Sequence, residues 1–337
     1  MKPYLVNVPV AVDVFVRPEN LKIVFNSIRK ARPSILFLVS DGPRESVPSD
    51  IENIKKSRDV VSNIDWNCKV HKIYFERNQG MYAKGVAARK YIFDLVDRCI
   101  FLEDDILVSI SFFKFCSELL EKYKDDLRIH YITGMNYIGN YNEPIADYFF
   151  CNEGSIWGFA TWKRTIEQFN HDYKNDKYAL KQIMHLAEKD KKRYSRKISG
   201  YINNNSYNGH EAATEYYKNI LKYSQNQLFI VPKKNMVSCL GYDKGSTHGP
   251  DSLFKMPKAL QRIYNMKTYE YSFPLKHPKY VVRDEYYEND INKFMAWNSD
   301  LKRIMRRLEV FFRHVYFRDF SRINKKIREL FNKQVEK

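Results

Sequence analysis

The sequence lacks the two commonest phosphate-binding motifs. Neither a G-x-x-x-x-G-K-[ST] loop nor a G-x-G-x-x-G turn occurs in its 337 residues. Both motifs arrange glycine backbone amides around phosphate oxygens, so their absence disfavours P-loop NTPases and Rossmann-type dinucleotide enzymes. A nucleotide bound by this chain has to be held by side chains and other turns.

Cysteine is scarce, and so are long hydrophobic runs. The five cysteines include no C-x-x-C pair and no metal-type spacing, and most lie in apolar segments, which predicts reduced thiols and a cytosolic compartment. No stretch approaches the roughly 20 apolar residues that cross a bilayer. The first 16 residues carry one Lys and an Asp and lack a small-residue cleavage site, so they do not resemble a signal peptide. We predict a cytoplasmic protein, soluble or peripheral on the inner face of the membrane.

Charge, in contrast, is strongly one-sided. Lys and Arg number 57 against 40 Asp and Glu, a formal net charge of +17, and much of the excess lies in 174–200 and 298–337. Such an excess of positive charge indicates an anionic partner: a nucleotide, a phospholipid surface or a nucleic acid. The 44% hydrophobic content with 25 Tyr and 22 Phe indicates a folded protein of one large or two modest domains.

Apolar runs alternate with helical segments along the first third of the chain. Strands are predicted over 8–16, 35–39, 70–75 and 100–102, with helices between them, including one over 83–97. This alternation predicts an α/β fold with a parallel, doubly wound sheet. Further on, the pattern predicts a helix over 109–122 capped by Ser109 or Ser111, and a variable insertion over 174–208 that contains a short helix near 179–190.

Three consecutive acids, Glu103, Asp104 and Asp105, separate two apolar runs. Adjacent carboxylates at the end of a buried strand are unfavourable unless a cation lies among them, and Mg²⁺ or Mn²⁺ prefers such hard oxygen ligands. Ligands of open α/β sheets bind at the carboxyl ends of strands, where this cluster falls. The sequence therefore predicts a metal site, with an ordinary acidic turn as the alternative.

Polar residues also follow the neighbouring predicted strands. Asp41 can accept a hydrogen bond from a base or a ribose, whereas Arg17, Arg44 and Lys84 can neutralise phosphate. Later in the chain, Trp157 stands between glycines in an aromatic segment, which is typical either of a platform for a sugar face or of a core strand followed by a helix.

The C-terminal segment has the pattern of a basic amphipathic helix. From Leu301 to about Leu330 the apolar residues fall on one helical stripe, and Lys and Arg supply the other faces. Such a helix either lies on an anionic bilayer or packs on the catalytic domain or on a second subunit, and both interpretations stay open.

Several motifs in a fixed order extend over about 8–278. They are 15–18 (Phe-Val-Arg-Pro), 40–44 (Ser-Asp-Gly-Pro-Arg), 103–105 (Glu-Asp-Asp), 132–136 (Ile-Thr-Gly-Met-Asn), 158–164 (Gly-Phe-Ala-Thr-Trp-Lys-Arg), 232–238, 245–248 (Gly-Ser-Thr-His) and 273–278. In these motifs the sequence resembles bacterial sugar-nucleotide-dependent glycosyltransferases of the GT-A fold, in the hemolytic-protein-like group. That group is related to the N-acetylglucosaminyltransferase that opens complex N-glycan synthesis.

The resemblance implies a GT-A (nucleotide-diphospho-sugar transferase) catalytic domain over 1–285, with a nucleotide-sugar half to about 135 and an acceptor half from about 136. The basic helical tail would then occupy 286–337. The implied activity is a metal-dependent, inverting hexosyl- or N-acetylhexosaminyltransferase that uses Mn²⁺ or Mg²⁺ and a UDP- or GDP-type sugar donor. The implied acceptor is a hydroxyl of a glycan or lipid-linked saccharide in cell-surface polysaccharide synthesis.

The same resemblance assigns roles to residues. Arg17, Asp41 and Arg44 would line the nucleotide pocket, and residues 103–105 would be the DxD-type motif, with Asp105 on the metal and Asp104 and Glu103 toward ribose and sugar. His248 would complete the metal site or contact the diphosphate. The remaining expected site residues are donor contacts at Asn136 and Gly158 within the motifs, and a catalytic base at Glu215, with Glu211 and Asp243 as rivals.

Two alternatives belong to other classes. A sugar nucleotidyltransferase is expected to carry a Gly-rich basic loop after the first strand, and residues 15–20 offer none. A nucleic-acid-binding protein is expected to interleave basic and aromatic residues across one face, whereas here the basic residues concentrate in the insertion and the tail. We therefore predict no nucleic-acid partner, and we name the C-terminal helix as a candidate surface for oligomerisation.

Overall fold

The computed structural model describes residues 1–169, 175–190, 198, 214–242, 252–296 and 299–320. The strands are β1 Val6–Val14, β2 Pro33–Ser40, β3 Lys69–Tyr74, β4 Arg98–Leu102, β5 Ile106–Val108, β6 Ile129–Thr133, β7 Tyr148–Cys151, β8 Phe159–Trp162, β9 Leu228–Pro232 and β10 Val237–Cys239. The helices are α1 Pro18–Ala31, α2 Ser49–Val60, α3 Met81–Leu95, α4 Ser111–Lys122, α5 Lys163–Glu167, α6 Lys177–Asp190, α7 Thr214–Ser224, α8 Lys258–Gln261, α9 Glu285–Met295 and α10 Asp300–Tyr316.

Eight strands form one sheet in the order β3-β2-β1-β4-β8-β6-β9-β7. Its parallel pairs are β1 with β2, β1 with β4, β2 with β3, and β6 with β9. β8 runs antiparallel between β4 and β6, and β7 closes the far edge antiparallel to β9. Outside this sheet, β5 pairs antiparallel with β10.

The two faces of β1 show why the sheet is covered on both sides. Its even-numbered valines, from Val8 to Val14, are buried against α1 and α4, while Ala11 on the opposite face is buried against α3. This alternation follows from the period of two along a strand. Helices therefore pack on both faces. The predicted fold class is confirmed as an α/β protein with a mostly parallel, doubly wound sheet.

Other structural expectations are met in part. The insertion contains the predicted helix as α6, which packs on α7 through Ile183, Ala187 and Ile220.

The start of α4 differs from the prediction, since neither Ser109 nor Ser111 caps it by a side chain. Instead the carboxylate of Glu270 accepts hydrogen bonds from the backbone N–H of Ile110 (3.0 Å) and of Ser111 (2.7 Å), a cap from a distant segment.

The C-terminal part also departs from the sequence pattern. The basic helix α10 ends at Tyr316, and Arg318 adopts a left-handed φ of 53°, so the helix predicted over 301 to about 330 is interrupted after Tyr316. Residues 321–337 lie outside the described part. α9 begins at the predicted domain boundary, and its Tyr287 and Ile291 are fully buried with residues of β7 and β9. The proposed division at 285 stays a prediction. No helix in the described ranges is long and apolar enough to cross a membrane.

Candidate functional site

The site lies where the chain order of the sheet reverses. β1 has β2 on one side and β4 on the other, both parallel to it, and α1 and α3 pack on opposite faces. In doubly wound folds this arrangement opens a crevice at the carboxyl ends of the strands, and ligands bind there. The loops that follow β1, β2 and β4 reach this edge with residues 15–17, 41–44 and 103–105.

Arg17 links the first loop to the acidic loop. Its Nη1 donates to Asp105 Oδ2 at 2.6 Å and to Asp104 Oδ1 at 3.2 Å. The three side chains are only 14%, 9% and 9% exposed, so water screens these ion pairs weakly. Thus residues 88 positions apart in sequence form one buried cluster.

Asp105 is held in place by β10 and the turn after it. Its carbonyl oxygen accepts a hydrogen bond from the N–H of Leu240 at 2.8 Å. Gly241 lies directly against the Asp105 carboxylate, because a Cβ added at this position would collide with it. Glycine at position 241 is therefore required for Asp105 to keep its position. Sequence reasoning missed Gly241, since no local pattern connects it with Asp105.

The other two acids of the motif, Glu103 and Asp104, both have raised pKa values. Burial and the neighbouring Asp105 raise the pKa of Asp104 to about 7, although Arg17 opposes this shift. Burial, followed by the charges of Asp105 and Asp13, raises the pKa of Glu103 well above its usual value. The carboxyl groups here exceed the cations that pair with them among the described residues. A positively charged ligand would therefore stabilise their ionised forms.

Lys84 joins the site from the first turns of α3. It is 7% exposed, and its Nζ lies 3.1 Å from Asp13 Oδ1 on β1. Burial lowers the pKa of Lys84, but Asp13 and the charges of Asp41 and Asp104 outweigh burial and raise it, so the ammonium stays charged. Sequence reasoning missed Asp13; an acid within a valine-rich strand is the signal that could have identified it. Asp13 lines a cavity together with Gly85, Phe101, Glu103 and Phe159.

Asp41 organises the loop before α3. Its Oδ1 accepts hydrogen bonds from the N–H of Gly42 (2.9 Å) and Gln79 (2.8 Å), and its Oδ2 accepts from the N–H of Gly80 (3.1 Å). The N–H of Lys84 in turn donates to the carbonyl of Gly80. Asp41 therefore fixes the start of the helix that delivers Lys84.

Arg44 lies beside Arg17 along a surface groove. Its guanidinium makes a bidentate pair with Asp50, at 2.7 Å from Nε and 2.8 Å from Nη2, and lies over the ring of Phe15 at 5.4 Å. With a side chain that is 40% exposed, Arg44 keeps a face open to this groove. It borders the Arg17 cluster and does not pair with its acids.

Asn136 is placed differently from the other expected donor contacts. It is fully buried; its Nδ2 donates to the carbonyls of Pro232 and Lys233, and its Oδ1 accepts from the N–H of Ile138 and the hydroxyl of Tyr287. Both amide hydrogens and the oxygen are thereby engaged. The structure therefore does not bring the Asn136 side chain to the acidic cluster.

Gly158 lies between the main sheet and the two-stranded sheet formed by β5 and β10. It has a φ of +61°, and its carbonyl accepts from the N–H of Gly134 at 2.9 Å. A Cβ at Gly158 would press on the side chains of Val108 in β5 and Val237 in β10. Gly158 thus lets the small sheet approach the main one.

Aromatic rings line the neighbouring wall. Trp157 packs on Tyr264 with ring centroids 5.5 Å apart, and Tyr264 meets Tyr242 edge to face. Burial, together with Cys239 and Asp105, raises the pKa of Tyr264 to about 12, so its hydroxyl remains neutral. The aromatic surface expected around Trp157 therefore lies near the acidic loop.

The expected catalytic base and the expected late histidine belong to the part of the chain outside the described side chains. Glu211, Asp243 and His248 lie outside the described residues. Glu215 belongs to α7 by its backbone, and its side chain is outside the described part. The roles predicted for these four residues stay predictions.

The fit of the site to a divalent metal is incomplete. Its surplus of hard carboxylate oxygens suits Mn²⁺ or Mg²⁺. Yet among the residues that the structure describes, no three Asp, Glu, His or Cys side chains come together so as to hold a metal ion. A metal here would need ligands from outside the described residues or from a bound phosphate.

A scan against protein-family models finds no match, and neither does a search of curated proteins. A search of solved structures matches, among others, two crystal structures of TarS from S. aureus. The form containing residues 1–349 matches with a TM-score of 0.37 and 10% identity, over 70% of this chain and 60% of that one. The other matches with a TM-score of 0.31 and 14% identity, over 50% and 29%. The chain thus spans less than two thirds of either, and both TM-scores are low.

Proposed function

We propose that this chain is a glycosyltransferase that takes its sugar from a nucleoside-diphosphate sugar bound at the carboxyl ends of β1 and β4. The proposal rests on a cluster of charged side chains at the reversal point of the doubly wound sheet. In this cluster two cations form ion pairs with carboxylates and lie beside further acids. The cations are Arg17 and Lys84, and the acids are Asp13, Glu103, Asp104 and Asp105. A nucleotide sugar needs cations for its phosphates and acceptor groups for its hydroxyls within one crevice, and this cluster offers both.

The parts of the donor match different parts of the crevice. We assign Arg17 and Lys84 to the diphosphate, because charge-assisted hydrogen bonds to phosphate are among the stronger polar contacts. The cavity beside Asp13 and Glu103 has a floor of stacked rings, Phe101 and Phe159, with centroids 5.1 Å apart. An apolar floor with carboxylates at its rim suits a base or a sugar ring.

The reaction then depends on stabilising the leaving diphosphate. As the glycosidic bond breaks, negative charge develops on the phosphate oxygen, and preorganised cations in a poorly hydrated site stabilise it. Arg17 and Lys84 supply that charge from this chain. A carboxylate, Glu215 by preference with Glu211 and Asp243 as rivals, is proposed to take the proton from the acceptor hydroxyl.

The proposal includes Mn²⁺ or Mg²⁺ on Asp105, with His248 as a further ligand. When bound, the metal would share the charge of the diphosphate. The finer assignments, also proposals, are a UDP- or GDP-type donor, hexosyl or N-acetylhexosaminyl transfer with inversion, and a saccharide or lipid-linked acceptor in cell-surface polysaccharide synthesis.

The connection between β1 and α1 bears on the alternative function. It consists of three residues, 15–17, and contains no glycine. It therefore lacks the Gly-rich loop expected of a sugar nucleotidyltransferase.

Calorimetric titration with UDP, GDP, CDP, TDP and ADP, each with Mn²⁺ and with EDTA, tests the donor site. We expect one diphosphate to bind, and Arg17→Ala or Lys84→Ala to weaken it about 10- to 100-fold, the loss of one charged hydrogen bond. Arg128→Ala, which alters an exposed arginine paired with Asp126, should leave affinity unchanged. If no nucleoside diphosphate binds the wild-type chain under either condition, the proposal fails.

The matching activity assay measures release of nucleoside diphosphate from the corresponding sugar donors. Turnover that persists in EDTA would contradict the metal requirement alone and leave the donor site standing. Glu215→Gln should keep donor binding and lose transfer; unchanged transfer would reassign the base.

A further inference from the structure

We propose that helix α10 lies flat on an anionic lipid bilayer and holds the protein at the membrane surface through an outward-facing apolar stripe. The stripe is one face of the helix, and its members are between 39% and 67% exposed: Leu301, Ile304, Met305, Leu308, Phe311, Phe312 and Val315. The proposal concerns this surface and does not depend on the reaction assigned to the site.

The orientation of α10 is the reverse of that of an ordinary surface helix, which buries its apolar face. Here the polar face packs on the body of the protein. Arg306 donates to the carbonyl of Phe294, Arg313 donates to the carbonyl of Phe254 at 2.8 Å, and Glu309 accepts from the N–H of Lys258 at 2.9 Å. The large apolar side chains are thereby directed away from the protein.

A second group of contacts fixes this orientation at the end of the helix. His314, 5% exposed, lies 3.3 Å from Asp319, and Asp319 pairs with Lys255 at 2.7 Å. With polar anchors along one side and at its end, α10 cannot turn its stripe inward without breaking several of them. Contiguous apolar surface of this kind marks an interaction site.

The charges beside the stripe indicate the partner. At 100° per residue, the stripe spans about 120° of the helix. Beyond its edges lie Asp300 and Arg307 on one side and Glu309 and Lys302 on the other. Asp300 pairs with Arg303 and Glu309 with Arg313, whereas Lys302 and Arg307 are exposed and have no ion-pair partner among the described residues. Cations that flank an apolar face are the pattern of a helix lying in the interface of an anionic bilayer, with hydrocarbon below the stripe and headgroups beside it. A second copy packed face to face would bring the same cations together, so charge complementarity favours lipid.

Flotation of the full chain with vesicles tests the proposal. We expect binding to vesicles of equal parts phosphatidylglycerol and phosphatidylcholine, weakened by added salt and at least tenfold weaker on phosphatidylcholine alone. Leu308→Ser and Phe312→Ser should each weaken binding about tenfold or more, because each removes a large apolar side chain that enters the hydrocarbon region when the helix binds. The double change Lys302→Gln with Arg307→Gln should cost about 20- to 30-fold on the anionic vesicles.

Ile145→Ser is the matched control. Ile145 is 94% exposed just before β7, and its loss should leave flotation unchanged. No flotation with anionic vesicles overturns the proposal, and so does equal loss in the Ile145 variant. A dimer in light scattering that Leu308→Ser dissolves, without any vesicle binding by the wild type, would identify the stripe as a subunit interface and likewise overturn it.

Discussion

Arg17 Nη1 and Asp105 Oδ2 lie 2.6 Å apart across the reversal point of the sheet, with both side chains largely buried. The pair ties the loop after β1 to the loop after β4, and Gly241 packs on the same carboxylate. Breaking one partner of such a pair leaves the other charge poorly solvated, whereas removing both charges does not. This asymmetry makes the pair testable apart from any reaction.

The first prediction concerns this pair and the free energy of unfolding. Arg17→Met should destabilise the fold by about 2–4 kcal/mol, because Asp105 and Asp104 lose their shared cation. Adding Asp105→Asn should restore part of that loss, giving a coupling energy of about 1–3 kcal/mol in a double-mutant cycle measured by urea unfolding. If the loss of stability in the double variant equals the sum of the two single losses within about 0.5 kcal/mol, the two side chains do not interact.

The second prediction concerns Asp41 as the organiser of the loop before α3. Asp41→Ala leaves three backbone N–H groups without their acceptor, so we expect a loss of about 2–3 kcal/mol in urea unfolding and faster proteolysis near residues 77–80. Asp41→Asn should fall between this variant and the wild type, because one amide oxygen remains as an acceptor. Asp97→Asn, at an 83% exposed side chain, is the control and should change stability little. Equal stability of the Asp41 and Asp97 variants would contradict the assignment.

The centre of the sheet and its functional edge could be predicted from the sequence. β1, β2 and β4 are short apolar runs, and each ends in polar, turn-forming residues, so local composition alone brings Arg17, Asp41 and Asp105 to one edge. The α/β class follows from the same alternation. What made this possible is that each signal is contained within about ten consecutive residues.

The contacts inside the site could not be predicted because they join distant segments. β10 contains three residues, too few for a periodic signal, and its pairing with β5 brings Gly241 to Asp105. For Asn136, a prediction made from the local motif differs from the observed contacts. Its place in a motif predicts a donor contact, but its amide is engaged with Pro232 and Lys233, a relationship that only the pairing of β6 with β9 creates.

The third prediction concerns Gly241. Gly241→Ala adds a methyl group where the Asp105 carboxylate lies, so the carboxylate has to move and the pair with Arg17 has to lengthen. We expect nucleoside-diphosphate affinity to fall about tenfold or more, with a smaller loss of stability of about 1–2 kcal/mol. Tyr242→Phe on the same turn keeps its ring contact with Tyr264 and should bind normally. Unchanged affinity in Gly241→Ala would mean that the position of Asp105 is unimportant for binding.

The last prediction concerns pH and His130 in β6. Its ring is fully buried between Tyr131 and Phe229, and within the described residues neither ring nitrogen has a hydrogen-bond partner. Burial, reinforced by Lys222 and Lys218, lowers the pKa of His130 well below its usual 6.5. The unfolded chain therefore binds a proton near pH 6.5 that the folded protein does not. This contribution to stability is present above that pH and is lost as the pH falls below it.

We expect His130 to remove about 1.4 kcal/mol from the free energy of unfolding for each pH unit below 6.5. His130→Phe keeps an aromatic ring without the titrating group, so its stability should decline less steeply between about pH 6.5 and pH 5 than that of the wild type. Subtracting the two urea-unfolding curves isolates His130 from the other histidines. His185→Gln, on the exposed face of α6, should reproduce the wild-type slope. Parallel curves for His130→Phe and wild type would mean that the folded protein protonates His130 as readily as the unfolded chain does.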